Sequence, residues 1–293
     1  MEKRVRFKSA WLPWALIAPQ MAIVLVFFFW PAAQALYQSV LQQDAFGTSI
    51  EYVGALNFQR LWDDASYLET FKITAFFSAV VAIGGIALSL LLAVFSDRIA
   101  RGATFYRTLL ILPYAVAPAV VGVLWIFLFA PPMGVVSYAL QSLGLEWDHL
   151  LNPDHAIALI IMAAIWKQVS YNFLFFVAGL QSIPKSLIEA AAIDGARPWR
   201  RFWTIQFPLL SPTTFFLLVI NVVYAFFDTF AIIDATTHGG PGKSTATLVY
   251  KVYYDGFKAL DMGGSAAQSV VLMVIVVALT VVQFRYVEKK VQY

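Results

Sequence analysis

Lys167 and Asp228 each stand inside a long apolar stretch, where an ionised side chain is costly. At the centre of a membrane helix a lysine costs about 2.5–3.5 kcal/mol on insertion scales. It must therefore face protein or water and find a partner. Lys167 falls roughly ten residues into its stretch, about 15 Å along a helix axis. Asp228 lies near the outer end of the next stretch. Two chemistries fit these charges. One is a structural Lys167–Asp228 ion pair. The other is a charged position in a translocation pathway, with Gln168, Asn172 and Asn221 extending the polar lining.

Other residues that carry chemistry are sparse. Zero cysteines exclude disulfides, thiolate metal sites, iron–sulfur clusters and cysteine nucleophiles. His149, His155 and His238 make no i,i+3 or i,i+4 pair, and no H-E-x-x-H is present, so they read as surface residues of external loops rather than metal ligands. Gly242-Lys243-Ser244-Thr245 imitates the end of a phosphate-binding loop. The full motif needs a glycine five residues before Gly242, and that position holds Thr237.

A longer pattern lies in the segment Ile183-Pro184-Lys185-Ser186-Leu187-Ile188-Glu189-Ala190-Ala191-Ala192-Ile193-Asp194-Gly195-Ala196, which runs on through Trp199-Arg200-Arg201-Phe202 to Ile205-Gln206-Phe207-Pro208. Pro184 suits the start of a short helix and Gly195 its stop. Leu187, Ala190 and Ala191 share a face whose small side chains would let another protein's groove come close, with Glu189 at the rim. An amphipathic interfacial helix with ordinary cytoplasmic charges is the alternative.

The elements that must position these residues follow from composition. Of 293 residues 60% are hydrophobic and 13% charged, against about 45–50% and 25% in soluble domains; the mean hydropathy is +0.73. These proportions exclude a cytosolic enzyme, a nucleic-acid-binding domain and a disordered chain. Six apolar stretches, Trp14–Gln34, Ile73–Phe95, Leu109–Ala130, Ile157–Leu180, Thr213–Ile233 and Gly264–Phe284, match the roughly 20 residues that cross a hydrocarbon core. Pro19, Pro31, Gly84, Gly85, Pro113 and Pro118 fall within them. Such breaks need neighbours or water for their freed carbonyls, so a bundle enclosing a cavity is expected. Lys and Arg number fourteen in the termini and alternate connections, against five in the remaining ones, which puts both termini in the cytoplasm. Ala33-Gln34-Ala35 resembles a signal-cleavage site, but the preceding apolar run is long and its removal would upset the charge alternation. It reads as a retained first helix.

On these residues the chain resembles the permeases of ABC importers. Their loop pattern is Glu-Ala-Ala, three residues, Gly, nine residues, then Ile-x-Leu-Pro. Glu189, Ala190, Ala191, Gly195, Ile205 and Pro208 match it, and Phe207 replaces the leucine. Arg107-Thr108-Leu109-Leu110, Leu112-Pro113-Tyr114 and Trp125 resemble the family's third span, and Gly239-Gly240-Pro241 with Ser244-Thr245 its loop before the last helix. The resemblance implies an all-α integral membrane protein of six transmembrane helices, a type I importer permease. Its expected divisions are residues 1–69 (N-terminus, first helix and external loop), 70–285 (transmembrane domain, with the loop at about 183–208) and 286–293 (cytoplasmic tail). It also implies that Glu189, Ala190, Ala191, Asp194, Gly195, Ile205 and Pro208 couple the chain to two copies of an ATP-binding subunit. A second permease subunit, forming a heterodimer, and a periplasmic solute-binding protein complete the implied assembly in the inner membrane lipid. ATP and magnesium would bind the partner subunit, leaving this chain without cofactor or catalytic role.

Residues 166–176, 224–230 and 265–273 narrow the resemblance to the sugar-type branch and to import of sn-glycerol 3-phosphate and glycerophosphodiesters, with a neutral sugar or oligosaccharide as the alternative. A secondary transporter would call for its own coupling-ion site, often at broken helices related by a repeat, and no repeat is visible. An intramembrane enzyme would need a clustered nucleophile, base or metal set. A pure assembly subunit would not need a polar lining.

Overall fold

The computed structural model describes residues 11–44, 47–97, 102–131 and 133–287. Lys3, Arg4, Arg6, Lys8, Arg98, Arg101, Lys289 and Lys290, which contribute to the charge asymmetry, lie outside the described residues. The protein is mostly helical, at 79%. Five helices are long and apolar enough to cross a bilayer: Leu12–Gln38, Ala65–Asp97, Pro153–Ser182, Ser211–Asp228 and Met262–Arg285. A bent pair, Ala103–Ala115 and Pro118–Phe129, brings the number to six when the pair is taken as one span.

The third span departs from expectation. Leu109–Ala130 reads as one helix in sequence, yet the chain bends by 106° at the break between the two arms. Pro118 has no N–H to return to the Tyr114 carbonyl, and Val116 and Ala117 are extended, with ψ of 130° and 142°. The fifth span also differs. It ends in a π-turn, Tyr224–Asp228, and Thr229 separates it from a further helix, Phe230–Thr236. The fourth span runs longer than its apolar stretch because Asn152 caps it: the Asn152 Oδ1 accepts from the backbone N–H of Asp154 (2.9 Å) and His155 (3.4 Å), and Pro153 takes the first turn.

The described residues fall into two compact units. One extends to Asp63 and takes in Val252–Val271. Its first helix buries no residue, as suits a helix whose solvent is lipid. The adjoining segment folds a hairpin of Leu41–Gln43 and Ile50–Tyr52. The buried Asn57 ties that hairpin down by donating to the carbonyls of Ser39 (3.0 Å) and Leu41 (2.8 Å). The other unit comprises Asp64–Lys251 and the residues from Leu272 onward. Its core has two clusters. In one, Phe77, Val81, Ile160, Ala164 and Ile232 join the second and fourth spans to the helix after the fifth. In the other, Ala93, Phe173, Phe176, Leu210 and Leu217 do the same for the second, fourth and fifth spans.

The histidines are not all surface loop residues. His155 sits in the first turn of the fourth helix, stacked on Trp147 at 4.8 Å. His149 is only 3% exposed, because Trp147 folds its loop against Phe129, with ring centroids 4.9 Å apart. Only His238 matches the expectation of an exposed loop position. Among the described residues no three His, Cys, Asp or Glu side chains cluster as metal ligands would.

Candidate functional site

The break in the third span creates the site's first requirement. A helix C-terminus leaves carbonyls without donors and carries partial negative charge. Lys167, from the middle of the fourth span, meets both needs. Its Nζ donates to the Tyr114 carbonyl at 2.7 Å and to the Pro113 carbonyl at 3.3 Å, and lies 5.4 Å from the Tyr114 ring centroid. The Lys167–Asp228 ion pair, one of the two readings of these charges, does not form; among the described residues neither side chain has an ion-pair partner. The reason is competition. The Tyr114 carbonyl, which Pro118 cannot satisfy, lies within reach of the ammonium, and the Pro113 carbonyl, which also accepts from the Val116 N–H at 3.2 Å, stands beside it.

Lys167 and Asp228 nevertheless share one cavity of about 350 Å³, lined by Tyr114, Pro118, Lys167, Gln168, Tyr171, Ile220, Tyr224 and Asp228. An ammonium carries three donors, two of which go to the carbonyls, leaving one for an occupant. Gln168 is only 6% exposed and has no hydrogen-bond partner among the described residues. Tyr224 directs its hydroxyl to the Ala164 carbonyl at 3.2 Å. Tyr114 and Tyr171 stand with ring centroids 6.0 Å apart. None of these three tyrosines was assigned to the site from the sequence. A usable signal was present for Tyr114 alone, in its position four residues before a proline.

Asn172 lies outside this cavity. It is fully buried and exchanges two hydrogen bonds with Asn221, at 3.0 and 2.8 Å, joining the fourth and fifth spans. Gly85 of the second span faces that pair: a Cβ there would meet the Asn221 Oδ1 at 3.4 Å and the Asn172 Nδ2 at 3.5 Å, ordinary contact distances. Reciprocal satisfaction leaves the two amides little capacity for a solute.

The second region is the loop after the fourth span. Lys185–Ile193 is a helix with no buried residue, and Ile193 is 87% exposed. Gly195 ends it at φ +77°, with the Ala196 N–H donating to the Ala191 carbonyl (2.9 Å) and the Gly195 N–H to the Ala192 carbonyl (3.0 Å). This is the stop that a left-handed residue provides. Glu189, Ala190 and Asp194 are exposed, Ala191 half-buried. Ile205 lies in a π-turn, Phe202–Gln206, and Pro208 in the short helix that follows. Arg201 donates back to the Ile188 carbonyl at 3.5 Å, tying this return segment to the exposed helix. Ile188 packs against the core, while Leu187 and Ala190 are left exposed.

Residues 85–293 match the family described as binding-protein-dependent transport system inner membrane component. Over 291 residues, 99% of each chain, this sequence is 62% identical to the sn-glycerol-3-phosphate transport system permease protein UgpA of Rhizobium meliloti (strain 1021). It is 57% identical over 290 residues to the protein of the same description from Yersinia pseudotuberculosis serotype I (strain IP32953), covering 99% of each. In fold it is similar to a chain of a bacterial ABC transporter involved in the import of the acidic polysaccharide alginate, with TM-score 0.80, 24% identity and coverage of 94% and 96%.

Proposed function

As this chain belongs to the family of binding-protein-dependent transport system inner membrane components, we propose that it is the permease subunit of an ATP-driven importer of sn-glycerol 3-phosphate and glycerophosphodiesters. The observation that carries this reading is the 62% identity, across 99% of both chains, to a relative of that description. In this reading a second permease subunit completes the pathway, a periplasmic solute-binding protein delivers the substrate, and two ATP-binding subunits dock on the exposed helix Lys185–Ile193. ATP and magnesium bind those subunits, and this chain does no covalent chemistry. Closure of the ATP-binding subunits pushes the docked helix as a rigid body, and that motion reaches the spans packed behind it.

The cavity supplies the physical side. A phosphate leaving water for a low-dielectric passage needs a cation to replace its hydration, and lysine serves as a point-charge phosphate binder. Lys167 is that cation here. Reconstitution of the complete importer in liposomes tests the proposal: with ATP and binding protein present, labelled sn-glycerol 3-phosphate accumulates inside and a soluble ATPase co-purifies with this chain. Import of maltose-like sugars with sn-glycerol 3-phosphate ignored would overturn the substrate while leaving the importer class intact.

A further inference from the structure

The cavity between the third, fourth and fifth spans contains a group that transport of an anion does not explain. Asp228 lines the same space as Lys167 and makes no ion pair or hydrogen bond among the described residues. A carboxylate there cancels the pull of the lysine on a bare anion. A passage tuned for phosphate alone would be better without it, because like charges in a weakly screened space repel.

We propose that Asp228 determines specificity by reading the hydroxyl end of the substrate, so that the cavity takes a phosphate ester bearing a vicinal diol and turns away inorganic phosphate. The inference rests on the proposed function and deepens it. Two neighbouring O–H groups can donate to the two oxygens of one carboxylate, and hydrogen bonds to an ionised acceptor are among the stronger ones. The diol thus converts a repelling group into a binding one. The phosphate goes to the donor that Lys167 has left over, and Gln168, buried and without a partner among the described residues, can bond to either end. At about 350 Å³ the space is at the small end of the range for ligand pockets, about 300–1000 Å³. Both sn-glycerol 3-phosphate and its diesters present a phosphate and a free diol; only the substituent beyond the phosphate differs. A site that is built to satisfy hydroxyls discriminates strongly against a ligand lacking them, because its own polar group is then left desolvated and unpaired.

The chain has no native cysteine, so a single reporter reads the cavity. Ile220, half-buried on its wall, is replaced by Ile220→Cys in membranes carrying the complete importer, and labelling of this chain by a maleimide is timed. The expected result is that sn-glycerol 3-phosphate slows labelling several-fold, while equal concentrations of inorganic phosphate or glycerol do not. Adding Asp228→Asn, which keeps the shape and removes the charge, should weaken protection by sn-glycerol 3-phosphate and allow phosphate to protect; Asp228→Ala should do the same. With Lys167→Met neither anion should protect. Equal protection by phosphate and sn-glycerol 3-phosphate before any change at Asp228 would overturn the diol reading. So would unaltered discrimination in both Asp228 variants. If nothing protects, the cavity is not a ligand site and the inference falls, whereas uptake of sn-glycerol 3-phosphate by the same membranes would leave the importer assignment standing.

Discussion

At Lys167, one side chain closes the break in the third span. Its tie to the Tyr114 carbonyl fills a place that Pro118 leaves vacant. Lys167→Met therefore strands a carbonyl at membrane depth, a loss of about 1–3 kcal/mol, and should lower the melting temperature of the solubilised protein. Lys167→Arg, which keeps charge and donors, should lower it less. Because no ion pair joins Lys167 to Asp228, adding Asp228→Asn should not restore the stability lost in Lys167→Met; recovery in the double variant would show that the two charges are coupled after all. A second residue-scale consequence concerns pH. Burial lowers the pKa of His149 below its ordinary value, more than the neighbouring Asp148 charge and the Phe129 carbonyl raise it, with His155 adding to the lowering. A histidine held neutral in the fold binds fewer protons than in the unfolded loop. The stability of the 143–152 segment is thus fully present above the unfolded value of about 6.5 and falls as the pH drops below it. Amide hydrogen exchange in this segment should speed up on acidification, corrected for intrinsic rates, and His149→Gln should flatten that dependence.

The helix Lys185–Ile193 gives the element scale its clearest test. A Cβ at Gly195 would meet nothing within 4 Å, so only the backbone resists substitution there. Gly195→Ala keeps room but pays for a left-handed φ, about 1–2 kcal/mol. It should loosen the helix stop and reduce coupling in part. Gly195→Pro, whose ring fixes φ near −65°, cannot adopt +77° at all and should uncouple ATP hydrolysis from uptake. Glu189→Lys reverses an exposed charge without touching the core and should weaken recovery of the ATP-binding subunit while leaving membrane insertion unchanged. Normal uptake and normal subunit recovery in Gly195→Pro and Glu189→Lys would remove this helix from the coupling path. The broken third span is the other decisive element. Its proline positions were plain in the sequence, and so was the expectation that freed carbonyls need partners. The angle was not, since it depends on how Val116 and Ala117 extend and on what packs behind them.

At the scale of the molecule, the chain is a multi-pass inner membrane component. A cysteine introduced at Ser186, in the exposed loop helix, should resist a membrane-impermeant reagent in intact cells and react once the membrane is opened; labelling from outside would invert the topology. The spans and the short loop helix with its glycine stop were legible because each is a one-dimensional property: a run of apolar residues, a fixed spacing. The approximate ends failed where polar residues continue a helix, as Asn152 and Pro153 do. The choice between rival partners for Lys167 and for Asn172 was not legible. Lys167 bonds the backbone 53 positions away and Asn172 an amide 49 positions away, and polar side chains of similar type compete for each. The sequence by itself determined that a charge and several amides must be satisfied within the membrane, because hydrocarbon offers them nothing. Only the tertiary structure decided which were consumed in holding spans together and which, like Asp228 and Gln168, were left facing a cavity, because that depends on distances between segments that sequence spacing does not encode.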